Sequence, residues 1–462
     1  MYAVVNQRKS SYIGVKHIRM KILLPDNVKK IINILLSSGH EAYAVGGCVR
    51  DSILGKTPAD WDITTSAQPK EVKALFPRSI DTGIEHGTVT VLMDKVGYEV
   101  TTYRIDGEYE DARHPSEVTF TTNLVEDLKR RDFTINAMAY NEDSGLVDAF
   151  DGMGDLKRGC IRCVGDPRER FTEDALRMFR AVRFAAQLDF SIEETTQEAI
   201  RELAPNIAKV SAERIQVELV KLLVSDHPYR MRDVYELGLS AVFMPEFDAA
   251  MKTTQHNRHH CYTVGEHTIH AMEGVTGDKV LRLTMLLHDI GKPVTRTTDE
   301  DGWDHFIGHE AIGADMARTI LRRLKFDNDT IRRVTKLVRY HDVRPKITPE
   351  KIRRTMVKIG LESFPQLFDV KRADVHAQSE YQHQEKLEAI DNFEIYYRII
   401  MEKKQPLAIK DLAIDGKDLL EMGVRPGPQL GELLNRMLDL VLSYPEKNKR
   451  EYLLGKAREY IE

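Results

Sequence analysis

The chain has 462 residues, 42% hydrophobic and 7% aromatic, with a formal net charge of -5 at pH 7. That length exceeds one compact core, so two or more domains are expected. The mild acidity excludes a protein that grips nucleic acid through overall charge and leaves any RNA contact to local basic patches.

The first 25 residues lack Asp and Glu but carry Arg8, Lys9, Lys16, Arg19 and Lys21. This composition fits weak organelle targeting or, the reading favoured here, an overlong start with Met20 opening the folded chain. Beyond it, Pro25-Asp26 precedes apolar positions Val28, Ile31, Ile32 and Leu35 at helical spacing. Ala42 to Val45 reads as a strand broken by Gly46-Gly47, and further strands are expected at Trp61 to Thr65, Thr88 to Met93 and Tyr98 to Tyr103. Strands interleaved with helices indicate an α/β domain up to about residue 150. From about residue 170 the pattern is all-α, with helices expected at Glu173 to Leu188, Ser211 to Val224, Lys279 to Leu287, Ala311 to Leu324 and Asp329 to Tyr340. No apolar run reaches membrane length, so no membrane partner is expected. Four cysteines, Cys48, Cys160, Cys163 and Cys261, are too few for a disulfide framework and fit a reducing compartment. The lone Cys160-x-x-Cys163 lacks the second pair that zinc requires.

Chemistry-bearing residues begin at Gly46-Gly47-Cys48-Val49-Arg50, where a strand meets a helix start. Two glycines let backbone N–H groups approach a phosphate, although such a pair is also an ordinary turn. In Asp60-Trp61-Asp62, alternation on a strand places both carboxylates on one face. They repel unless cations lie between them, and Mg²⁺ favours such oxygen ligands together with substrate phosphates. A solvated edge strand is the plainer alternative. Glu99, on another expected strand, adds a third carboxylate.

GGCVRDSILGKTPADWDITT, TGIEHGTVTV, YEVTTYR, RRDFTINAMAY and the run DAFDGMGDLKRGCIRCVGDPRERFTEDALRMFRAVRFAAQLDF occur in order over residues 40 to 190. This series resembles the head of class II tRNA nucleotidyltransferases and bacterial poly(A) polymerases. The resemblance implies an α+β protein: a polymerase β-like nucleotidyltransferase head with a mixed sheet, then an all-α neck, an HD domain and a helical tail. The expected limits are 1–22 for an N-terminal extension, 23–165 for the head, 166–250 for the neck, 251–390 for the HD domain and 391–462 for the tRNA-binding tail.

It further implies Mg²⁺ on Asp60 and Asp62, with Glu99 beside them, and triphosphate on Gly46, Gly47, Arg50, Arg130, Arg131 and Asp132. Asp174 and Arg177 would read the incoming base of CTP or ATP, since positions 173 or 174 and 177 share one face of a helix. Arg177, Arg180 and Arg183 recur every three residues and suggest a stripe facing nucleotide and tRNA. The segment Tyr103 to Phe120 resembles the flexible loop of A-adding enzymes, so full CCA addition is expected. Addition of A alone, a poly(A) polymerase, or an HD phosphohydrolase with a tRNA-binding head are the rival readings. Ser211 to Leu223 resembles the helix that closes the neck.

Downstream, His267, His288-Asp289 and Asp374 match the order of an HD-domain metal site. Mixed imidazole and carboxylate ligands suit Mn, Fe, Ni, Co or Zn. His309, His341 and Asp342 could extend the site to a second ion, and Lys292 could bind phosphate. His256, His259 and His260 are expected in a nearby loop rather than as ligands; His270 and His376 stay open. The HD resemblance implies phosphohydrolase chemistry, such as phosphatase or 2′,3′-cyclic phosphodiesterase action on RNA ends, and a bacterial cytoplasmic setting.

Overall fold

The computed structural model describes residues 15–107 and 118–461, so the middle of the 103–120 loop and the start of the chain lie outside the described residues. The chain forms two compact units, residues 1–245 and 246–462.

The first unit is built on an eight-stranded mixed sheet. Its spatial order is Lys16–Ile18, Gly145–Asp148, Met138–Asn141, Ala42–Val45, Asp62–Thr65, Val96–Thr102, Thr88–Met93 and Ser79–Gly83. Lys16–Ile18 belongs to this sheet although it falls within the 1–22 stretch set apart above. All pairings are antiparallel except one, where Asp62–Thr65 runs parallel to Val96–Thr102 with Ile63 beside Val100. Helix Asp26–Ser37 covers one face through Val28, Ile31, Ile32 and Leu35, the four positions its periodicity singles out. Burying each such side chain contributes roughly 1.5–3 kcal/mol.

The expected helix Glu173 to Leu188 is in fact two, Pro167–Glu173 and Leu176–Leu188. The break falls at Asp174, whose backbone is extended (φ -142°, ψ 103°) and whose Oδ1 accepts from the Leu176 N–H. A short acceptor competing with the backbone ends one helix and starts the next. The all-α expectation past residue 170 also misses two small strand pairs: Ser191–Ile192 with Cys160–Ile161, and Thr297–Thr298 with Asp304–His305.

The neck is held together by charge as well as packing. Arg183 Nε donates to Glu218 Oε2 at 2.7 Å, with both side chains buried. The same guanidinium lies 3.5 Å from the centre of the Phe184 ring. All four cysteines are free.

In the second unit, helix Lys279–Leu287 is buried on every side through residues such as Val280, Leu283, Leu286 and Leu287. A helix apolar all round belongs at the centre of a bundle. Helices Val264–Glu273, Asn328–Tyr340 and Phe364–His376 pack against it. The C-terminal helices Gly416–Glu421, Pro428–Ser443 and Arg450–Ile461 gather around Leu419, Leu433, Met437, Val441 and Leu453. No described helix is long and apolar enough to cross a membrane.

Removing one partner of a buried ion pair strands the other charge. Glu218→Ala is therefore expected to destabilise the first unit by roughly 3–5 kcal/mol, read as a lowered urea midpoint. Combining Glu218→Leu with Arg183→Met should recover much of that loss.

Candidate functional site

Parallel pairing of Ile63 with Val100 sets Asp62 and Glu99 side by side at one end of the sheet. Asp60 lies just before the same strand, and all three carboxylates are accessible. Partial shielding from water raises the pKa of Asp62, Asp60 and Glu99 push it the same way, and Arg131 opposes them. Four charged groups therefore sense one another at the sheet end. Gly46 sits against them with φ +84°, a backbone setting that strains any residue bearing a Cβ. A Cβ there would lie 3.0 Å from Arg131 Nη1 and 4.0 Å from Asp62 Oδ2.

Arg131 is held from behind by Asp127, which lies 3.7 Å from its Nη2. Asp127 is fully buried, accepts from Arg130 Nε at 2.9 Å and from Thr64 Oγ1 at 3.0 Å. Burial works against its charge, yet Arg130 and Arg131 hold it below the usual carboxylate range. Arg131 keeps a buried Nε with no hydrogen-bond partner, a donor suited to an anion. Gly47 opens helix Gly47–Ile53 directly after this turn.

The other expected nucleotide contacts are engaged within the protein. Arg50 is buried, donating to Asn136 Oδ1 at 2.6 Å and Asp51 Oδ1 at 2.8 Å. Asp132 accepts from Arg180 Nε at 2.8 Å, Asn136 Nδ2 at 3.1 Å and the Phe133 N–H. Burial opposes its charge, but Arg180 and Asn136 hold Asp132 well below the carboxylate range. Arg183 is committed to Glu218 and Gln187. Arg177 Nη1 donates to Glu173 Oε2 at 2.6 Å and its Nη2 to the Arg130 carbonyl at 3.0 Å. Asp174, displaced from the expected helix, instead meets Arg214, whose Nη2 donates to its Oδ2 at 2.7 Å. Sequence reasoning missed Asp127, Asn136 and Arg214. Only Asp127 leaves a local signal, standing three and four residues before Arg130 and Arg131.

The second constellation is largely buried. His267, His288 and Asp289 place ligand atoms within 4.8 Å of one another, and so do Asp289, His309 and His341. Asp289 therefore serves both groups. Its Oδ2 lies 3.3 Å from His288 Nε2 and 3.5 Å from His267 Nε2. Its Oδ1 lies 3.4 Å from His309 Nε2 and 3.6 Å from His341 Nε2. Asp374 approaches His267 Nε2 at 2.9 Å. Each Nδ1 faces a backbone carbonyl: Ala377 at 3.1 Å for His267, Met285 at 2.7 Å for His288, Phe306 at 2.8 Å for His309 and Val338 at 2.7 Å for His341.

A carbonyl only accepts, so each Nδ1 carries the proton and each Nε2 presents a bare lone pair inward. Two such lone pairs then face each other at 3.2 Å and two more at 3.3 Å, beside carboxylates. This donor set fits divalent cations and is repulsive without positive charge. Accordingly, although burial disfavours its cation, Asp289 and Asp374 push the pKa of His288 up to about 10.

Gly291 makes the second group possible, because a Cβ there would fall 2.4 Å from the His309 carbonyl oxygen. Asp342 does not join the cage; it accepts from Arg344 at 2.7 Å. Lys292 Nζ sits 2.7 Å from Asp289 Oδ2 and donates to Gln255 Oε1. His259 and His260 line the cavity beside the cage, His256 pairs with Asp304, His270 with Glu273, and His376 contacts His383.

Three family models match: a poly(A) polymerase head domain over residues 42–162, a probable RNA- and SrmB-binding site of polymerase A over 189–251, and a tRNA nucleotidyltransferase domain 2 over 294–457. The CCA-adding enzyme of Levilactobacillus brevis is 37% identical over 430 residues, 92% of this chain and 96% of the relative. The chain belongs to the CCA-adding enzyme family. That of Enterococcus faecalis is 38% identical over 440 residues, 94% and 97% of the two chains. Among solved structures, the Bacillus stearothermophilus CCA-adding enzyme in complex with CTP is similar with a TM-score of 0.71 at 30% identity, covering 94% of this chain and 96% of that one. The Thermotoga maritima CCA-adding enzyme complexed with tRNA shares the fold, with a TM-score of 0.57 at 20% identity over 95% of each chain.

Placing a Cβ at Gly46 tests the acidic face. Gly46→Ala is expected to cost roughly 1–3 kcal/mol of backbone strain and to displace Arg131. Nucleotide incorporation should fall at least tenfold while circular dichroism stays native.

Proposed function

We propose that this chain adds CCA to the 3′ end of tRNA from CTP and ATP, without a nucleic-acid template, where Asp60, Asp62 and Glu99 meet Gly46 and Arg131. The observation that carries this reading is the half-buried Arg131 guanidinium, with an unpartnered Nε, set between the Gly46 turn and Asp62. In a CCA-adding family member such a donor is suited to a triphosphate.

Asp60 and Asp62 would hold Mg²⁺, which supplies positive charge to the attacking and leaving oxygens of an in-line displacement. The backbone N–H groups after Gly46 and the Arg131 fork bind the triphosphate and orient its α-phosphorus. Glu99 adds negative charge that strengthens cation binding at the sheet end. Asp174 and Arg177 read the base edge, one accepting from an exocyclic amine and the other donating to a ring nitrogen. Arg214 fixes the carboxylate of Asp174, and Glu173 fixes the guanidinium of Arg177.

The second unit is read as a phosphohydrolase for RNA ends. Its four inward Nε2 atoms, with Asp289 shared between them and Asp374 at one side, fit two divalent ions of the Mn, Fe, Co, Ni or Zn class. Such ions supply a polarised water for phosphoester hydrolysis. Lys292 is placed to neutralise a phosphate oxygen beside Asp289.

Incubating a tRNA that lacks its 3′ end with CTP, ATP or both, at single-nucleotide resolution, tests the first reading. Three additions only with both nucleotides are expected, and an A ladder on any RNA would instead mean a poly(A) polymerase. Asp62→Ala should lower incorporation by at least about a thousandfold, as loss of a metal ligand in a metal-dependent step implies. For the second unit, a chain loaded with Mn²⁺ and desalted should retain two ions at the cage. His341→Ala should retain one, and equal retention by both proteins would sink the two-ion reading.

A further inference from the structure

The net charge of the chain is -5, yet one side of the second unit gathers unpaired cations. A groove of about 410 Å³ lies along helices His309–Arg323 and Asn328–Tyr340. Its charged lining is Arg318, Arg322, Arg332, Lys336, Arg339 and Lys358, without a single carboxylate. Asp315 neutralises Arg318, and Asp329 with Glu362 neutralises Arg332. The other four make no ion pair among the described residues, and Lys358 rests 5.5 Å from the centre of the Tyr340 ring.

Lys358 also lines a second groove of about 230 Å³, with Lys346, Lys351, Arg354 and Arg344 and again no carboxylate. Arg354 is tied to Glu350 and Asp439, whereas Lys346 and Lys351 are unpaired. Arg344 in turn lines the cavity of about 620 Å³ that opens on the histidine cage. Lys358 thus lines both grooves, and Arg344, paired with Asp342, lines the second groove and the cage cavity, so a cationic path leads towards a cavity whose own lining is mixed, with Asp289, Asp304, Glu310 and Asp374 beside His309 and His341. Near that end stand aromatic surfaces, the half-exposed Trp303 with Arg258 5.7 Å from its ring centre, and Tyr381.

We propose that this path carries the backbone of a single-stranded RNA whose terminal phosphoester is delivered to the cage. The proposal rests on the phosphohydrolase reading above and names its substrate as a polynucleotide end rather than a free nucleotide. A mononucleotide would be satisfied by Lys292, Arg258 and the ions of the cage. It has no use for six further unpaired cations spread over three helices and the loop before the last of them. A strand with a phosphate on every residue matches them, and its end bases can stack on Trp303 and Tyr381, as single strands do on aromatic platforms. The two grooves, lined by cations without a carboxylate, suit a flexible polyanion.

The test is binding, measured on the full chain by fluorescence anisotropy with a short single-stranded RNA bearing a 3′-phosphate, in a salt series. The variant Lys336→Gln/Arg339→Gln/Lys358→Gln removes three cations without reversing charge. Its RNA affinity is expected to fall at least tenfold at low salt, and the slope of log affinity against log salt to shrink by about 2, at 0.7 per single-strand phosphate contact. Mn²⁺ content and melting temperature report separately whether the cage and fold persist, so a chain that binds RNA but no metal sinks the phosphohydrolase reading alone. Unchanged RNA affinity and salt slope would overturn the path. Equal losses for the RNA and for its terminal mononucleotide would overturn it too, because the cations would then serve a small ligand.

Discussion

In the first unit, order at the catalytic face depends on carboxylates set behind arginines. Asp127 backs Arg130 and Arg131, Asp132 backs Arg180, Glu218 backs Arg183, and Asp174 is held by Arg214. A guanidinium in a protein wall must be paired or it costs several kcal/mol, so each pair fixes both its members. Of these, Asp132 with Arg180 ties the head to the neck helices. Arg131 keeps one buried, unpartnered donor at the place where Asp62 and the Gly46 turn converge. Phe184 reinforces the arrangement, with the guanidinium carbons of Arg183, Arg50 and Arg180 at 3.5, 5.0 and 5.4 Å from its ring centre.

The second unit solves a related problem with the opposite polarity. Four imidazoles are pinned by backbone carbonyls so that their lone pairs point inward, and Asp289 stands between them. Here the excess is negative. The acidic face of the head remains open to solvent. Among the described residues, three or more ligand atoms come within 4.8 Å of one another only at the histidine cage.

Much of this was legible in the chain itself. The periodicity of Val28, Ile31, Ile32 and Leu35 marks the helix on the sheet, and alternation around Asp62 marks the strand that carries it. The order of His267, His288-Asp289 and Asp374 marks the cage through its resemblance to an HD-domain metal site. Asp174 was misjudged. Helical spacing joined it to Arg177, but its side chain prefers the Leu176 N–H and breaks the helix there.

What the sequence determined by itself was local: element types, the glycine turn, and the residue classes able to hold phosphate, base or metal. Tertiary structure decided the partners. That Asp174 answers to Arg214, that Arg183 and Arg50 turn inward, and that Asp289 is shared by two imidazole pairs depends on contacts between residues far apart in the chain. The same is true of the basic path, whose cations come from three helices and the loop before the last of them, and look like solvated faces when read one at a time. Spacing shows which side chains share an element's face. Only packing shows what that face meets.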